Sequence, residues 1–128
     1  LLSIEEAGVF WEQPPADLAH AVGAVGAVLH ERPERRDLAR AALLHDVGKR
    51  HAALGTINRS IATALSLVRI SLRGRYRRYL AHAESGAQEL EALGCEALVV
   101  QFARHHHDKP PEEINADDWA TLLAADDE

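Results

Sequence analysis

Histidine and aspartate are the residues of this sequence that could do chemistry, and histidine is unusually frequent, with eight copies in 128 residues. His45 and Asp46 are adjacent in the string ALLHDVGK, at the end of an apolar helical segment. Because the apolar residues draw this helix end into the core, the pair is expected to be buried. A buried imidazole and a buried carboxylate both need partners, so other polar side chains must meet them there.

The three consecutive histidines at positions 105–107 are the first source of partners. On a helix, residues three, four and seven positions apart share a face. His106 lies four residues beyond Phe102 and seven beyond Val99, which favours it as the histidine that points inward. His107 is the next choice, and His105 is expected toward the rim.

An aspartate near the end of the sequence is a second candidate partner. Asp126 lies four residues beyond Leu122 and seven beyond Trp119, whereas Asp127 shares its face with Ala120. The apolar face of an amphipathic helix is the one that becomes buried. The periodicity therefore favours Asp126 over Asp127.

His20 and His82 complete the set of candidate ligands. Alanines share the helix face of His20, and Gly86 follows His82 by four residues, so another backbone could come close to either histidine. The candidates then come from five helical segments that could converge at one end of a bundle: His20, His45, Asp46, His82, His106 and Asp126. Four imidazoles and two carboxylates without a thiolate suit one or two divalent ions, with manganese, iron, cobalt or zinc favoured over magnesium alone.

The elements that must position these residues are predicted to be helices throughout, because no stretch alternates apolar and polar residues as a β-strand does. We expect a single all-α domain over residues 1–128, built as a bundle of about six helices. A capping box at Ser3 opens the first helix, and Asn115 caps the last. The other predicted segments run from Pro15 to about His30, from after Pro33 to Gly48, from Ile57 to Ile70, from after a break at Gly74 to Gly94, and from Glu96 to His106.

The composition narrows the classes of partner and compartment. Fourteen basic against 20 acidic residues leave a net charge of -6, which disfavours duplex nucleic acid as a partner. No apolar run reaches the roughly 20 residues of a membrane span, and the first residues lack the basic charge of a signal peptide, so we expect a cytoplasmic protein without a membrane partner. The single cysteine, Cys95, leaves any metal to nitrogen and oxygen ligands and is expected to be a small buried apolar residue.

One segment is strongly basic. It carries five arginines within ten residues: Arg69, Arg73, Arg75, Arg77 and Arg78. Guanidinium groups pair well with phosphate, so the segment could guide an anionic substrate toward the histidines. A solvated face that pairs with the surplus of acids is the interpretation we prefer for most of these arginines.

The sequence resembles the HD-domain family of metal-dependent phosphohydrolases, whose pattern is H…HD…H…H…D. The resemblance covers nearly the whole chain, through the strings DLAHAV, ALLHDVGK, HAESGAQEL, ARHHHDKP and LLAADD. HAESGAQEL and HHHD are similar to segments of the HD-GYP branch. The chain continues with DKPPEE where that branch carries DGSGYP, so it is not identified as a cyclic di-GMP phosphodiesterase.

The resemblance implies an HD-type helical bundle with two metal positions. One ion would be held by His20, His45, Asp46 and Asp126, and Asp46 would bridge to a second ion held by His82 and His106, with His107 as an additional candidate.

The resemblance also implies an activity. Asp46 and Lys49 would be the catalytic residues, with Lys49 next to the phosphate of the substrate. The substrate would be a phosphate ester of a nucleotide or of another small phosphorylated metabolite, cleaved by a metal-activated hydroxide. Two alternatives remain open: an HD-fold di-iron oxygenase, and a noncatalytic regulatory domain that binds a nucleotide or a protein.

Overall fold

The computed structural model describes the backbone of residues 1–50 and 72–127 and the side chains of residues 1–50 and 82–127. This part of the chain forms six α-helices and no strand, which confirms the predicted all-α class. We number them α1 (Ile4–Trp11), α2 (Pro15–Glu31), α3 (Arg36–Leu44), α4 (Leu72–Ala92), α5 (Ala97–His105) and α6 (Ala116–Asp126). The predicted helix from Ile57 to Ile70 lies outside the described residues.

Several helix ends follow the local signals in the sequence. Ser3 caps α1, accepting a hydrogen bond from the backbone N–H of Glu6 and donating its own N–H to the Glu6 carboxylate. The side chain of Asn115 accepts hydrogen bonds from two backbone N–H groups at the start of α6. Gly94 has a φ of 75° after α4, a left-handed conformation that favours glycine and ends helices. These three predictions are confirmed.

Two predictions about glycine are wrong. α3 ends at Leu44, before His45 and Asp46, and residues 47–50 form one turn of 3₁₀ helix that contains Gly48. Gly48 therefore does not terminate the helix. Gly74 does not break a helix either, because it lies within α4, which spans 21 residues from Leu72 to Ala92. A single glycine costs a helix interior only about 1 kcal/mol, which the rest of a long helix easily offsets.

α3 is the central helix of the described bundle. Leu38, Ala39, Ala41, Ala42 and Leu44 on it are essentially inaccessible to solvent. α3 packs against α2, α5 and α6, and also contacts α1, while α2 packs against α6 and α4 against α5. The alanines allow these neighbours to approach closely. The end of α3, with His45 and Asp46, is thus surrounded by three of the other elements that carry candidate ligands, α2, α5 and α6.

α1 is attached to the bundle by a buried carboxylate. Glu6 is 1% exposed, and its carboxylate accepts hydrogen bonds from the Arg40 guanidinium of α3. The Cys95 thiol also donates to Glu6, with 2.9 Å between Sγ and Oε1. Cys95 is therefore partly buried and bonded to a charged group, and the prediction of a small buried apolar residue is wrong.

Among the described helices, none combines the length and the apolar character that crossing a membrane requires. α4 is the longest of them, with 21 residues, and its sequence LRGRYRRYLAHAESGAQELEA is rich in charge.

Candidate metal centre

Three helices end at the same place in the molecule. His45 caps the carboxyl end of α3, His106 caps that of α5, and Asp126 is the last residue of α6. The carboxyl end of a helix carries a partial negative charge from its last carbonyl groups. The backbone therefore adds to the two aspartates in favouring a cation here.

Four side chains offer their ligand atoms within 4.8 Å of one another: His20, His45, Asp46 and Asp126. Asp126 Oδ1 is 3.0 Å from His20 Nε2 and 2.7 Å from His45 Nε2. Asp46 Oδ2 is 3.3 Å from the same nitrogen of His45. Two imidazoles and two carboxylates at this spacing could hold one metal ion.

Backbone contacts determine which ring nitrogen of His45 and of His106 faces the centre. Nδ1 of His45 is 2.8 Å from the Ala42 carbonyl oxygen, and Nδ1 of His106 is 3.1 Å from the carbonyl oxygens of Phe102 and Ala103. A carbonyl only accepts hydrogen bonds, so Nδ1 carries the hydrogen in both rings. In the neutral ring Nε2 then carries a lone pair, as a metal ligand requires.

Both Nε2 atoms are buried without a hydrogen-bond partner of suitable geometry among the described residues. Buried polar atoms are normally paired. In addition, the lone pair of His45 Nε2 lies 2.7 Å from a carboxylate oxygen of Asp126, an arrangement that repels unless positive charge is bound. The donor set of this chain therefore fits a metal ion.

The pKa values of the same residues reflect this demand for positive charge. Burial by itself would lower the pKa of His45, but the carboxylates of Asp126 and Asp46 outweigh it and raise this pKa to about 9. Burial would raise the pKa of both aspartates, but the neighbouring histidines, and Lys49 in the case of Asp46, hold them well below the usual range. Both carboxylates are thus ionised at neutral pH.

A second group of histidines lies on the other side of Asp46. His82, His106 and His107 line one cavity together with His45, Asp46, Gly48, Lys49 and Ala83. The cavity has room for about one water molecule or ion. His106 Nε2 is 3.6 Å from Asp46 Oδ1, whereas His45 Nε2 approaches Oδ2. The two oxygens of Asp46 therefore face different histidines, as a bridging carboxylate would.

His107 belongs to this cavity although much of its surface is exposed. Its ring centroid lies 3.6 Å from that of His106. Burial and the adjacent His106 lower the pKa of His107 to about 4. His107 is therefore neutral at pH 7 and has a lone pair to offer.

Lys49 lies at the rim of this cavity, with 29% of its side chain exposed. Its ammonium group pairs with Oδ2 of Asp46. The next residue, Arg50, pairs with Glu89 of α4 and Glu12, and donates to the Val9 carbonyl. Sequence reasoning did not single out Arg50, because nothing in the string HDVGKR distinguishes it from a solvated arginine.

The remaining sequence candidates lie elsewhere. His105 is the last residue of α5 and does not line the cavity. Asp127 is exposed just after α6. The side chains of the arginine-rich segment, residues 69–78, lie outside the described part of the chain.

A family model, that of the HD domain, matches residues 16–126. The matched span begins with α2, ends with α6 and includes all the candidate ligands named above. α1 precedes it. Comparisons with curated proteins and with solved structures find no match to this chain.

Proposed function

The chain belongs to the HD-domain family, and we propose that it is a metal-dependent hydrolase that cleaves a phosphate ester of a nucleotide or another small phosphorylated metabolite. One observation carries this proposal: the buried Nε2 atoms of His45 and His106 approach opposite oxygens of Asp46 without a hydrogen bond of suitable geometry among the described residues. HD domains are commonly metal-dependent phosphohydrolases, and a carboxylate with two outward-facing oxygens could hold two ions for such a reaction.

The candidate ligands divide into two groups that share Asp46. The first group is His20, His45, Asp46 and Asp126, and the second is Asp46, His82 and His106, with His107 as an additional ligand. Manganese, iron, cobalt or zinc would suit this mixture of nitrogen and oxygen better than magnesium alone. When bound, such ions supply an activated water nucleophile and neutralise charge on the phosphate.

The role of Lys49 follows from the charge of the cavity. Asp46 and Asp126 are both ionised, and helix carboxyl ends surround them, so a phosphate group needs positive charge beside it at this place. The Lys49 ammonium stands at the exposed rim and is held toward the centre by Asp46. In our proposal it turns to donate to a phosphate oxygen as negative charge develops there.

Asp46 is proposed to act as a fixed anchor. Its carboxylate is buried and lies between Lys49 on one side and the His45 and His106 rings on the others. These contacts keep it ionised and orient both oxygens. It would therefore place the nucleophilic water against the substrate without exchanging a proton itself.

The test is a metal-reloading assay. Protein stripped with a chelator is reloaded separately with Mn²⁺, Fe²⁺, Co²⁺, Zn²⁺ or Mg²⁺ and assayed with an aryl phosphate and with a panel of phosphorylated metabolites. We expect turnover with at least one of the transition metals, absent in Asp46→Asn and retained in the exposed control Asp127→Asn. Iron-dependent oxygen uptake without phosphate release would favour the oxygenase instead, and nucleotide binding without turnover would favour a regulatory domain.

A further inference from the structure

Gly48 and Gly86 bring two backbones into direct contact beside the cavity. A Cβ atom added at Gly48 would overlap the carbonyl oxygen of His82 and lie 2.9 Å from the Gly86 nitrogen. A Cβ atom added at Gly86 would lie 2.9 Å from the nitrogen and 3.0 Å from the Cα of Gly48. Neither position has space for a side chain, and the atoms in the way belong to backbone that cannot move aside locally.

The location of this contact links the two halves of the centre. Gly48 is two residues after Asp46, and the atom it would strike belongs to His82 itself. The separation between the turn at residues 47–50 and α4 at His82 is therefore set by the absence of side chains at the two glycines. Three other glycines, Gly8, Gly23 and Gly26, have no such neighbour within 4 Å.

A second contact holds α4 against the same turn. Arg50 pairs with Glu89, which lies three residues after Gly86 and therefore on the same side of α4. The Arg50 side chain is only 9% exposed. Ala87 and Leu90, which neighbour Gly86 and Glu89 in the sequence of α4, are fully buried. α4 thus contacts residues 47–50 at two places: by close backbone packing at Gly86 and by an ion pair at Glu89. The two places are about one turn of α4 apart.

We infer that Gly48 and Gly86 are positioning residues, which hold His82 close enough to Asp46 for both to bind the same ion. The inference rests on the proposed function in needing an ion at that place. A methyl group at either glycine would push α4 away from the turn and carry His82 with it. The four-residue group of His20, His45, Asp46 and Asp126 would keep its spacing, since none of its members lies on α4.

The test measures Mn²⁺ binding, which requires no turnover. Free Mn²⁺ is followed by electron paramagnetic resonance during titration of the wild type, Gly86→Ala, His82→Ala and the double variant. Gly23→Ala is the matched control, because it adds the same methyl group to a helix where nothing obstructs it. We expect Gly86→Ala and His82→Ala each to weaken the more weakly bound ion about 10- to 100-fold. The double variant should bind no more weakly than His82→Ala, because Gly86 acts through His82.

Three outcomes would overturn the inference: Gly86→Ala binding as the wild type does, losses that add in the double variant, or no effect of His82→Ala. Should Gly86→Ala fail to fold, Glu89→Gln replaces it under the same criterion of non-additivity, since it loosens α4 without adding a methyl group. Wild-type protein that binds no Mn²⁺ would reject the proposed function as well. Two bound ions in Gly86→Ala with wild-type affinity would reject the positioning role alone.

Discussion

His45 and His106 have the same arrangement of hydrogen bonds because each directly follows a helix. The last carbonyl groups of a helix lack a full set of backbone donors, and Nδ1 of each ring donates to carbonyls three or four residues earlier. Nε2 is thereby turned toward Asp46. Helical periodicity in the sequence could favour His106 over its neighbours, but it could not indicate which nitrogen would face the centre.

The two adjacent aspartates at the end of α6 allow a matched comparison at this level. We expect Asp126→Asn to lower the affinity for Mn²⁺ at least about tenfold, because an amide carries no negative charge and is a poor ligand. Asp127→Asn should bind Mn²⁺ as the wild type does, since Asp127 is exposed. Titration of both variants gives the answer, and equal affinities would exclude Asp126 as a ligand.

The raised pKa of His45 predicts how the metal-free protein responds to pH. The charged imidazole stabilises the fold fully below the unfolded-state pKa of about 6.5, and this contribution is lost as the pH rises through about 9. Mn²⁺ binding needs the neutral ring and should strengthen over the same window. Urea unfolding at pH 6, 7.5 and 9, with and without Mn²⁺, measures both trends, and a metal-free stability that does not fall would contradict the first.

Cys95 should react slowly with thiol reagents despite its partial exposure. Burial, followed by the hydrogen bond and the charge of Glu6, raises the pKa of the thiol to about 12, so very little thiolate forms at pH 8.5. We expect iodoacetamide to alkylate the folded protein at least about tenfold more slowly than the urea-unfolded protein. Because the chain has one cysteine, mass spectrometry reads this site directly, and equal rates would show that the thiol is not held by Glu6.

At the level of the helices, the local sequence is sufficient to predict a helix end where a nearby residue itself provides the cap. Ser3 and Asn115 cap their helices with their own side chains, and Gly94 adopts a conformation that other residues avoid. The prediction for Gly74 fails because a helix tolerates glycine at modest cost, and the one for Gly48 fails because α3 already ends at Leu44. What Gly48 provides is space for α4, and a contact between distant segments has no signal in the local sequence.

The same distinction applies to the centre itself. The positions of His106 and Asp126 on apolar faces could be read from the spacing of their neighbours. The pairing of Lys49 with Asp46 and the ion pairs of Arg50 could not be predicted from the sequence. A charged side chain near a helix end is equally consistent with a solvated position. The contacts of Arg50, with Val9, Glu12 and Glu89, depend on how α1 and α4 pack.

The attachment of α1 to α3 supplies a prediction about stability. Arg40→Ala leaves the buried Glu6 carboxylate without its main partner, and we expect a loss of about 3 kcal/mol, at the lower end of the range for broken buried pairs because 22% of the Arg40 side chain is exposed. Arg36→Ala, an exposed position on the same helix, should change stability by less than about 0.5 kcal/mol. Urea unfolding compares the two, and similar midpoints would show that the pair contributes little.

Across the whole molecule, the centre joins elements from both ends of the chain. α2 and α6 run antiparallel, connected at one end by His20 and Asp126 and near the other by Arg35, whose guanidinium binds both carboxylate oxygens of Asp118 at 2.6 and 2.7 Å. An ion at the first end would tie α2 and α6 to the turn after α3. Metal binding should therefore stabilise the fold as a unit.

We expect Mn²⁺ at 100 times its dissociation constant to stabilise the protein by about 2.7 kcal/mol. For a chain of this length, this corresponds to a rise in Tm of roughly 10 °C. Thermal unfolding should reveal the shift in the wild type and in Asp127→Asn, and at most about half of it in Asp126→Asn at the same metal concentration, because a tenfold weaker site is stabilised by only about 1.4 kcal/mol. A shift of the same size in Asp126→Asn would place the stabilising ion elsewhere.

The pairing of His20 with Asp126 has a kinetic consequence, since 106 positions separate the two residues. We expect a contact between such distant residues to form late in folding, because the long loop between them must close first. An ion held by both is therefore absent from the transition state, so it leaves the refolding rate nearly unchanged and slows unfolding instead. The metal would act on this protein chiefly by lengthening the lifetime of molecules that have already folded.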